Sequence, residues 1–421
     1  MPSPAKGVRQ SVSSSQPAAV DGSNGESSAA SDPGSVTKVR RPGYHHQASQ
    51  SRRAAFFELR NGHSTPWEPV TVPHFWATMQ FGTVPYLSLP VMVLLLAALA
   101  LVFDFTNGIH DAANSIATVV STRVLSPGVA VLWAAFFNVV AFAVFHLRVA
   151  NTMGTGLIDP SIVDNSVIAA TLLSAVLWNL FTWWLGLPTS SSHALTFSLI
   201  GAGFVKGGWK VLEWDGIGKV AAFVVLSPVI GGLLGALIAF IVMWLFHRAS
   251  PGRVEKVFRR GQLVSAAFYS LGHGGNDAQK TMGIIFVLLI AASQGGRAFK
   301  TPMDVPTEVV LGCYLAMGLG TMLGGWRIVK TMGQKIIHLR PMDGFCAETG
   351  AAITLIAVIF GGIPVSTTHT ITGAIIGVGS IKRLTAVRWG VVASVVWAWI
   401  LTIPSTAVVS GLICWALRHV T

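Results

Sequence analysis

The chain has 421 residues, of which 52% are hydrophobic and 11% charged, with 14 Trp and a mean hydropathy of +0.61. Soluble domains carry about 25% charged residues, so this is an integral membrane protein. The formal charge of +12 invites nucleic acid as a partner, but position argues against it. Of 29 Lys and Arg, 8 lie in the N-terminal tail and 19 between apolar segments; Arg418 is near the C-terminus, and Lys280 alone falls inside a membrane segment.

In chain order, residues 1–82 come first. SVSSSQPAAVDGSNGESSAASDPGS is Ser/Ala/Gly-rich and nearly free of large apolar side chains, so it cannot offset the entropy of ordering and is expected to be a disordered tail. It lacks the apolar core of a signal peptide. The basic, aromatic stretch RRPGYHHQASQSRRAAFFELR suits either a lipid surface or a plain linker. The first apolar run, LSLPVMVLLLAALALVF (87–103), leads into FDFTNGIHDAANS (103–115), which carries two aspartates, two asparagines and a histidine. A span at 128–147 follows, then two apolar arms meeting at Pro188, then a span at 220–246. HRASPGRVEKVFRRG reads as a basic linker over 247–262. Beyond it come HGGNDAQKTMG (273–283), two arms meeting at Pro364, and a last run at 389–417. These runs approach or exceed the roughly 20 residues that a spanning helix needs. Cys313, Cys346 and Cys414 lack CxxC or CxxH spacing and read as small core residues.

The chain resembles itself. NGIHDAANSIA (107–117) aligns with HGGNDAQKTMG (273–283), pairing Asp111 with Asp277, Asn107 with His273 and Asn114 with Lys280; GLPTSSSHALT (186–196) aligns with GIPVSTTHTIT (362–372). The offsets are 166 and 176 residues, in the same order. About five crossings fall in each repeat, an odd number, so the second should be inverted relative to the first. The expected fold is an all-α polytopic membrane protein with repeats at 83–246 and 263–421, discontinuous helices and re-entrant hairpins. Cytoplasmic loops are enriched in Lys and Arg. With 247–261 inside, thirteen loop charges lie inside (Arg123, five in 248–260, four in 327–340, Lys382, Arg383, Arg388) against six outside. Both termini then face outward.

Charged side chains inside a bilayer cost about 2.5–3.5 kcal/mol on insertion scales, so Asp104, Asp111, Asp277, Lys280, the histidines at 110, 193, 273 and 369, and Glu348 need a reason to be there. Asp111 and Asp277 read as a helix-bundle ion pair with Lys280 or, given their matched positions, as one site near a pseudo-twofold axis. Gly108, Gly272, Gly274 and Gly275 read as helix breaks that free backbone groups to bind ions; tight helix packing is the alternative. Thr189, Ser190, Ser191 and Ser192, and Ser366, Thr367 and Thr368, follow Pro188 and Pro364. That would place hydroxyls and free N–H groups at helix N-termini, as an oxyanion cradle or as simple N-caps. Carboxylates and amide oxygens suit a hard cation. The composite reads as a cation-coupled anion symporter.

Enzyme readings fail. GGNDAQKT places Gln279 where a P-loop needs its second Gly, and Ser192 with His193 lacks a G-x-S-x-G elbow. A membrane enzyme acting on phosphorylated lipid would need its polar groups at the interface rather than in mid-span.

FDFTNGIHDAANSIATVVSTRVLSP, YSLGHGGNDAQKTMGII and the tips PTSSSH and PVSTTH resemble the inorganic phosphate transporter (PiT) family over about residues 88–417. The resemblance implies sodium- or proton-coupled phosphate symport at an inner (plasma) membrane, inverted repeats with hairpins, a central site lined by both repeats, and a homodimer. It carries Asp111, Asn114, Asn276 and Asp277 over to the coupling cation and Ser190, Ser191, Ser192, Ser366, Thr367 and Thr368 to phosphate; by their places beside these, Asn107 is expected to join the cation set and Lys280 and Gln279 the phosphate set. No catalytic residue, resident metal or cofactor is implied. Two residues depart from the G-x-N-D-x-x-N signature. His110 replaces an Asn and, as a group able to carry a proton, points to H+ coupling, as in bacterial low-affinity members, some of which carry a metal–phosphate complex. Lys280 replaces the closing Asn, and its ammonium either stands in for one coupling cation or touches phosphate directly. Sulfate transport on the same scaffold is the nearest alternative.

Overall fold

The computed structural model describes residues 90–292 and 305–420. The tail expected at 1–82, with its basic aromatic stretch, lies outside the described residues. Among those described the protein is helical, with one isolated bridge between Ile158 and Leu212.

The first half runs α1 (Val91–Ser121), α2 (Pro127–Val140), α3 (Arg148–Thr155), α4 (Asn165–Leu185), α5 (Ser191–Gly207) and α6 (Trp214–Leu245). The second runs α7 (Pro251–Ala292), α8 (Thr307–Leu323), α9 (Trp326–Lys330), α10 (Pro341–Phe360), α11 (Thr367–Lys382) and α12 (Trp389–Val420). Helix for helix the order matches: one long helix, a bent pair, two arms, a long closing helix. The closing helices even share an internal proline, Pro228 in α6 and Pro404 in α12, at the 176-residue offset of the hairpin motifs.

Among the described residues five helices (α1, α4, α6, α10 and α12) are long and apolar enough to cross a membrane; counting the bent pairs as one span each gives seven. The bends are 83° between Pro127–Ala143 and Arg148–Thr155, and 63° between Thr307–Leu323 and Trp326–Lys335. The second arms, α5 and α11, have 17 and 16 residues, fewer than the 21 and 20 of α4 and α10.

Polarity decides where each helix sits. α7 carries His273, Asn276, Asp277 and Lys280 in mid-length, and nearly every side chain from Ser265 to Leu289 is buried. Groups this polar must face protein rather than hydrocarbon, and α1, α2, α3 and α10 wrap α7. The closing helices lie outermost. On α6, Leu233, Leu237, Phe240 and Trp244 are exposed, and on α12 Trp397, Leu401, Leu412 and Trp415, apolar surface that suits lipid.

The halves interlock. α5 of the first half packs on α12 of the second, and α11 packs on α6. Glycines permit the approach: a Cβ on Gly201 would lie 2.1 Å from the Ala407 carbonyl oxygen, and one on Gly377 would lie 2.0 Å from that of Gly232.

Two expectations require correction. The expected breaks at the aspartate motifs are absent: α1 is continuous over 31 residues and α7 over 42. Their glycines serve packing, for a Cβ on Gly108 would meet the Met317 carbonyl oxygen at 2.2 Å, on Gly274 that of Asn138 at 2.4 Å, on Gly275 the Phe145 ring at 2.3 Å, and on Gly272 Leu355 at 3.1 Å. The discontinuities fall at the bends and hairpin tips instead. Pro188 and Pro364 do not open the second arms; each lies two residues before its N-cap, Ser190 or Ser366. The basic linker keeps its place between the halves and is mostly helix, because α7 begins at Pro251 and its first turns carry the charges of RVEKVFRR.

Candidate functional site

The tips of the two hairpins are held near the motifs of α1 and α7. α4 ends at Gly186, whose φ of +70° is a conformation that glycine adopts without strain; Gly362 turns the second tip at φ +64°. Ser190 Oγ accepts from the His193 N–H and Ser366 Oγ from the His369 N–H, each at 3.1 Å. These two hydroxyls act as N-caps. The hydroxyls one and two residues further on are left to face the aspartates and Asn114, and Ser191, Ser192, Thr367 and Thr368 are at most 5% exposed.

The two halves make corresponding contacts. Ser191 Oγ donates to Asp111 Oδ2 at 2.6 Å and lies 2.6 Å from Asn107 Oδ1; Thr367 Oγ donates to Asp277 Oδ2 at 3.0 Å. Asn114 Nδ2 crosses to the second hairpin, 2.9 Å from Thr368 Oγ and 3.4 Å from Thr367 Oγ. Lys280 Nζ crosses to the first, donating to Ser192 Oγ at 2.5 Å. Lys280 therefore repeats the contact of Asn114 with an ammonium in place of an amide. Its other bonds go to Asp277 Oδ1 and the Val365 carbonyl, both at 2.6 Å. Ser192 Oγ also lies 3.3 Å from Asp277 Oδ1.

Around each aspartate the second contact differs. His110 Nδ1 lies 2.7 Å from Asp111 Oδ1, and its Nε2 is shared between the hydroxyls of Thr182 at 3.1 Å and Thr189 at 3.2 Å. His273 Nε2 lies 3.3 Å from Asp277 Oδ2, and its Nδ1 lies 3.2 Å from Asn138 Oδ1 and 3.5 Å from Ser115 Oγ. Ligand atoms of Asp111, His273 and Asp277 come within 4.8 Å of one another, a spacing that can hold a metal ion.

Two expected residues stand apart from this cluster. Gln279 Oε1 accepts from the Val149 N–H at 3.0 Å, so its amide braces the start of α3 rather than the hydroxyls. Asn276 Nδ2 donates to the Ile363 carbonyl at 3.4 Å, at the second tip, while its Oδ1 has no hydrogen-bond partner. His193 and His369 meet each other, ring centroids 4.5 Å apart, and His369 stacks on Trp399 at 3.7 Å. The Trp399 indole N–H donates to the Pro188 carbonyl at 2.9 Å, anchoring the first tip.

A reciprocal clasp went unread in the sequence. From the first half, Thr152 Oγ donates to the Gly362 carbonyl at 2.6 Å and an Arg148 guanidinium N–H to that of Phe360 at 2.9 Å. From the second, Thr331 Oγ donates to the Gly186 carbonyl at 3.1 Å, and Arg327 donates to the Trp184 carbonyl. Each bent pair thus holds the hairpin of the other half. RVANT (148–152) and RIVKT (327–331) share the Arg-x-x-x-Thr pattern that would have revealed it.

Buried hydroxyls, two carboxylates and one ammonium, gathered where matched helix pairs meet, suit a small oxyanion with a cation. The phosphate transporter family profile matches residues 107–410. The chain belongs to the phosphate transporter family. It is 57% identical over 326 residues to a probable low-affinity inorganic phosphate transporter of Rhizobium meliloti, covering 77% of this chain and 96% of that one. It is 42% identical over 333 residues to the Bacillus subtilis protein of the same description, covering 78% and 98%. Among solved structures, the sodium-dependent phosphate transporter shares the fold at a TM-score of 0.72 and 24% identity, over 79% of this chain and all of that one. The family places the protein among multi-pass plasma-membrane transporters, and its relatives are named as transporters rather than enzymes.

Proposed function

We propose that this phosphate transporter is a symporter driven by a proton, with the two halves rocking in alternating access about the cluster of Asp111, Asp277, Lys280 and the hairpin hydroxyls. The observation that carries the reading is the placement of Lys280. Its ammonium pairs with Asp277 at 2.6 Å, so the second half supplies its own cation where the first presents only the amide of Asn114. Within the cluster one exchangeable cation position then remains, at Asp111 and Asn107. His110, 2.7 Å from Asp111, favours a proton there over sodium. Ser191, Ser192, Thr367 and Thr368 bind phosphate in this reading, with Lys280; Ser190 and Ser366 shape the helix N-termini, and Gln279 and Asn276 brace the surrounding helices.

The deciding experiment is labelled phosphate uptake into proteoliposomes with pH and sodium gradients imposed separately. Accumulation driven by a pH gradient alone is the expected result; accumulation driven only by sodium would overturn proton coupling. Excess unlabelled sulfate should leave uptake unchanged, because a carboxylate can accept a hydrogen bond from HPO₄²⁻ that sulfate cannot offer.

The Asp111, His273 and Asp277 group favours a second reading of the cargo, in which phosphate travels as a neutral complex with a divalent metal. Chelation of divalent ions should then stop uptake. The proposal includes opposite orientation of the halves in the membrane and outward-facing termini, which cysteine accessibility at Arg123 and Lys210 tests, and a homodimer, which crosslinking in membranes tests.

A further inference from the structure

Among the described residues three carboxylates are buried away from the central cluster, Asp343, Glu348 and Asp104, and Asp343 pairs with Lys382. Glu348 on α10 has both oxygens occupied, Gln262 Nε2 donating to Oε1 at 3.0 Å and Ser265 Oγ to Oε2 at 2.5 Å. Asp104 differs. It lies on α1 seven residues before Asp111, about 10 Å along the axis, and is fully buried. Thr281 Oγ of α7 donates to Oδ1 at 2.5 Å, while Oδ2 has no N–H or O–H donor, the Cys313 thiol being the carboxylate's one other, weak, neighbour of that kind.

The groups facing Asp104 are neutral or acidic. From α7 come the Thr281 hydroxyl and, farther off, Asp277; from α8 come the Cys313 thiol and the Tyr314 phenol. Among the described residues no Lys, Arg or His lies within ion-pair distance of Asp104. Lys280, one residue from Thr281, is committed to Asp277, Ser192 and the Val365 carbonyl. A bare carboxylate here would have no compensating charge and would face the like charge of Asp277. Intramembrane carboxylates so placed mark proton relays, and a proton on Oδ2 both removes the charge and occupies the oxygen that no N–H or O–H group reaches.

We infer that Asp104 is a proton-binding residue of the transport cycle, set outside the phosphate cradle and joined to it along the face of α1 that carries Asn107, Asp111 and Asn114. The inference rests on the symport reading above. The O–H bond forms with a proton from the aqueous side to which the site is open, and it breaks, returning the proton to water, when the site opens to the other side. No other bond changes. Because phosphate brings negative charge to the same helix pair, proton and phosphate each strengthen the binding of the other, which is the coupling that symport needs.

The test is Asp104→Asn, which mimics the protonated acid and cannot release a proton, reconstituted beside wild type in proteoliposomes. The expected result is loss of pH-gradient-driven phosphate accumulation with retention of phosphate–phosphate exchange. The infrared spectrum of wild type should also show a protonated-carboxyl carbonyl band that the variant lacks. Accumulation equal to wild type overturns the inference. If the variant loses exchange as well, the infrared band decides: a wild-type band missing from the variant supports Asp104 as a proton site, and identical spectra overturn it. Wild-type uptake indifferent to a pH gradient would overturn the symport reading itself, an outcome visible before any variant is made.

Discussion

Replacing Lys280 by Asn gives the second half the residue that the first carries at Asn114. The change removes the ammonium's bonds to Asp277, Ser192 and the Val365 carbonyl and leaves a fully buried carboxylate without its partner. Removing one member of a buried ion pair costs about 3–5 kcal/mol, and about 3 kcal/mol is already about a hundredfold in an equilibrium. The desolvation that makes the loss so large is also what lets an external cation repair it: the new amide oxygen and Asp277 would offer oxygen ligands of the kind sodium accepts. In sodium-free proteoliposomes, Lys280→Asn should therefore lower proton-driven phosphate uptake by about a hundredfold or more, and millimolar sodium should restore part of it. Wild-type uptake by the variant without sodium would refute the reasoning, because it would show that Asp277 needs no fixed cation.

Asp111→Asn and Asp277→Asn should each abolish uptake while leaving the protein monodisperse in detergent; near-normal uptake by either would sink the site assignment. Thr152→Val and Thr331→Val each delete one clasp bond, worth about 0.5–1.5 kcal/mol, and should shift to similar extents the balance of inward- and outward-accessible states read by cysteine labelling at the tips. A shift from only one of them would show that the two clasps are unequal. At the membrane edge, burial raises the Asp164 carboxyl, but the Lys206 ammonium, the Ser166 hydroxyl and the Val167 N–H outweigh it, leaving it lowered from its ordinary value. The stability this pair contributes is present above the unfolded carboxyl's value of about 4 and is lost as pH falls through the lowered folded value. The Tm advantage of wild type over Asp164→Asn should accordingly shrink in acid, and a constant difference would refute it.

The paired aspartates and the hydroxyls behind each tip proline were legible because their spacing repeats in sequence, and the structure brings both sets together. The glycines beside the aspartates were not legible in the same way. Composition alone does not distinguish a helix break from a close helix contact, and only the carbonyls of Met317 and Asn138 against Gly108 and Gly274 decide for packing. Gln279 adjoins a site residue in sequence, but on a helix successive side chains point in different directions, so its amide reaches Val149 instead. The charges of 253–260 mark solvent exposure and leave open whether the linker is helix, which the start of α7 at Pro251 decides. Asp104 was visible as a lone intramembrane acid, but its neighbours Thr281 and Cys313 come from the other half of the chain, beyond the reach of any local pattern.

The central claim is that both halves build one phosphate site, and equilibrium binding of labelled phosphate to the purified protein tests it most directly. Ser191→Ala removes a hydroxyl contributed by the first half and Thr367→Val one contributed by the second. A hydrogen bond to a charged group is worth about 1.5–3 kcal/mol, so each substitution should weaken phosphate binding by about tenfold to a hundredfold. Loss of affinity from one substitution with no change from the other would place the site in a single half and contradict the account.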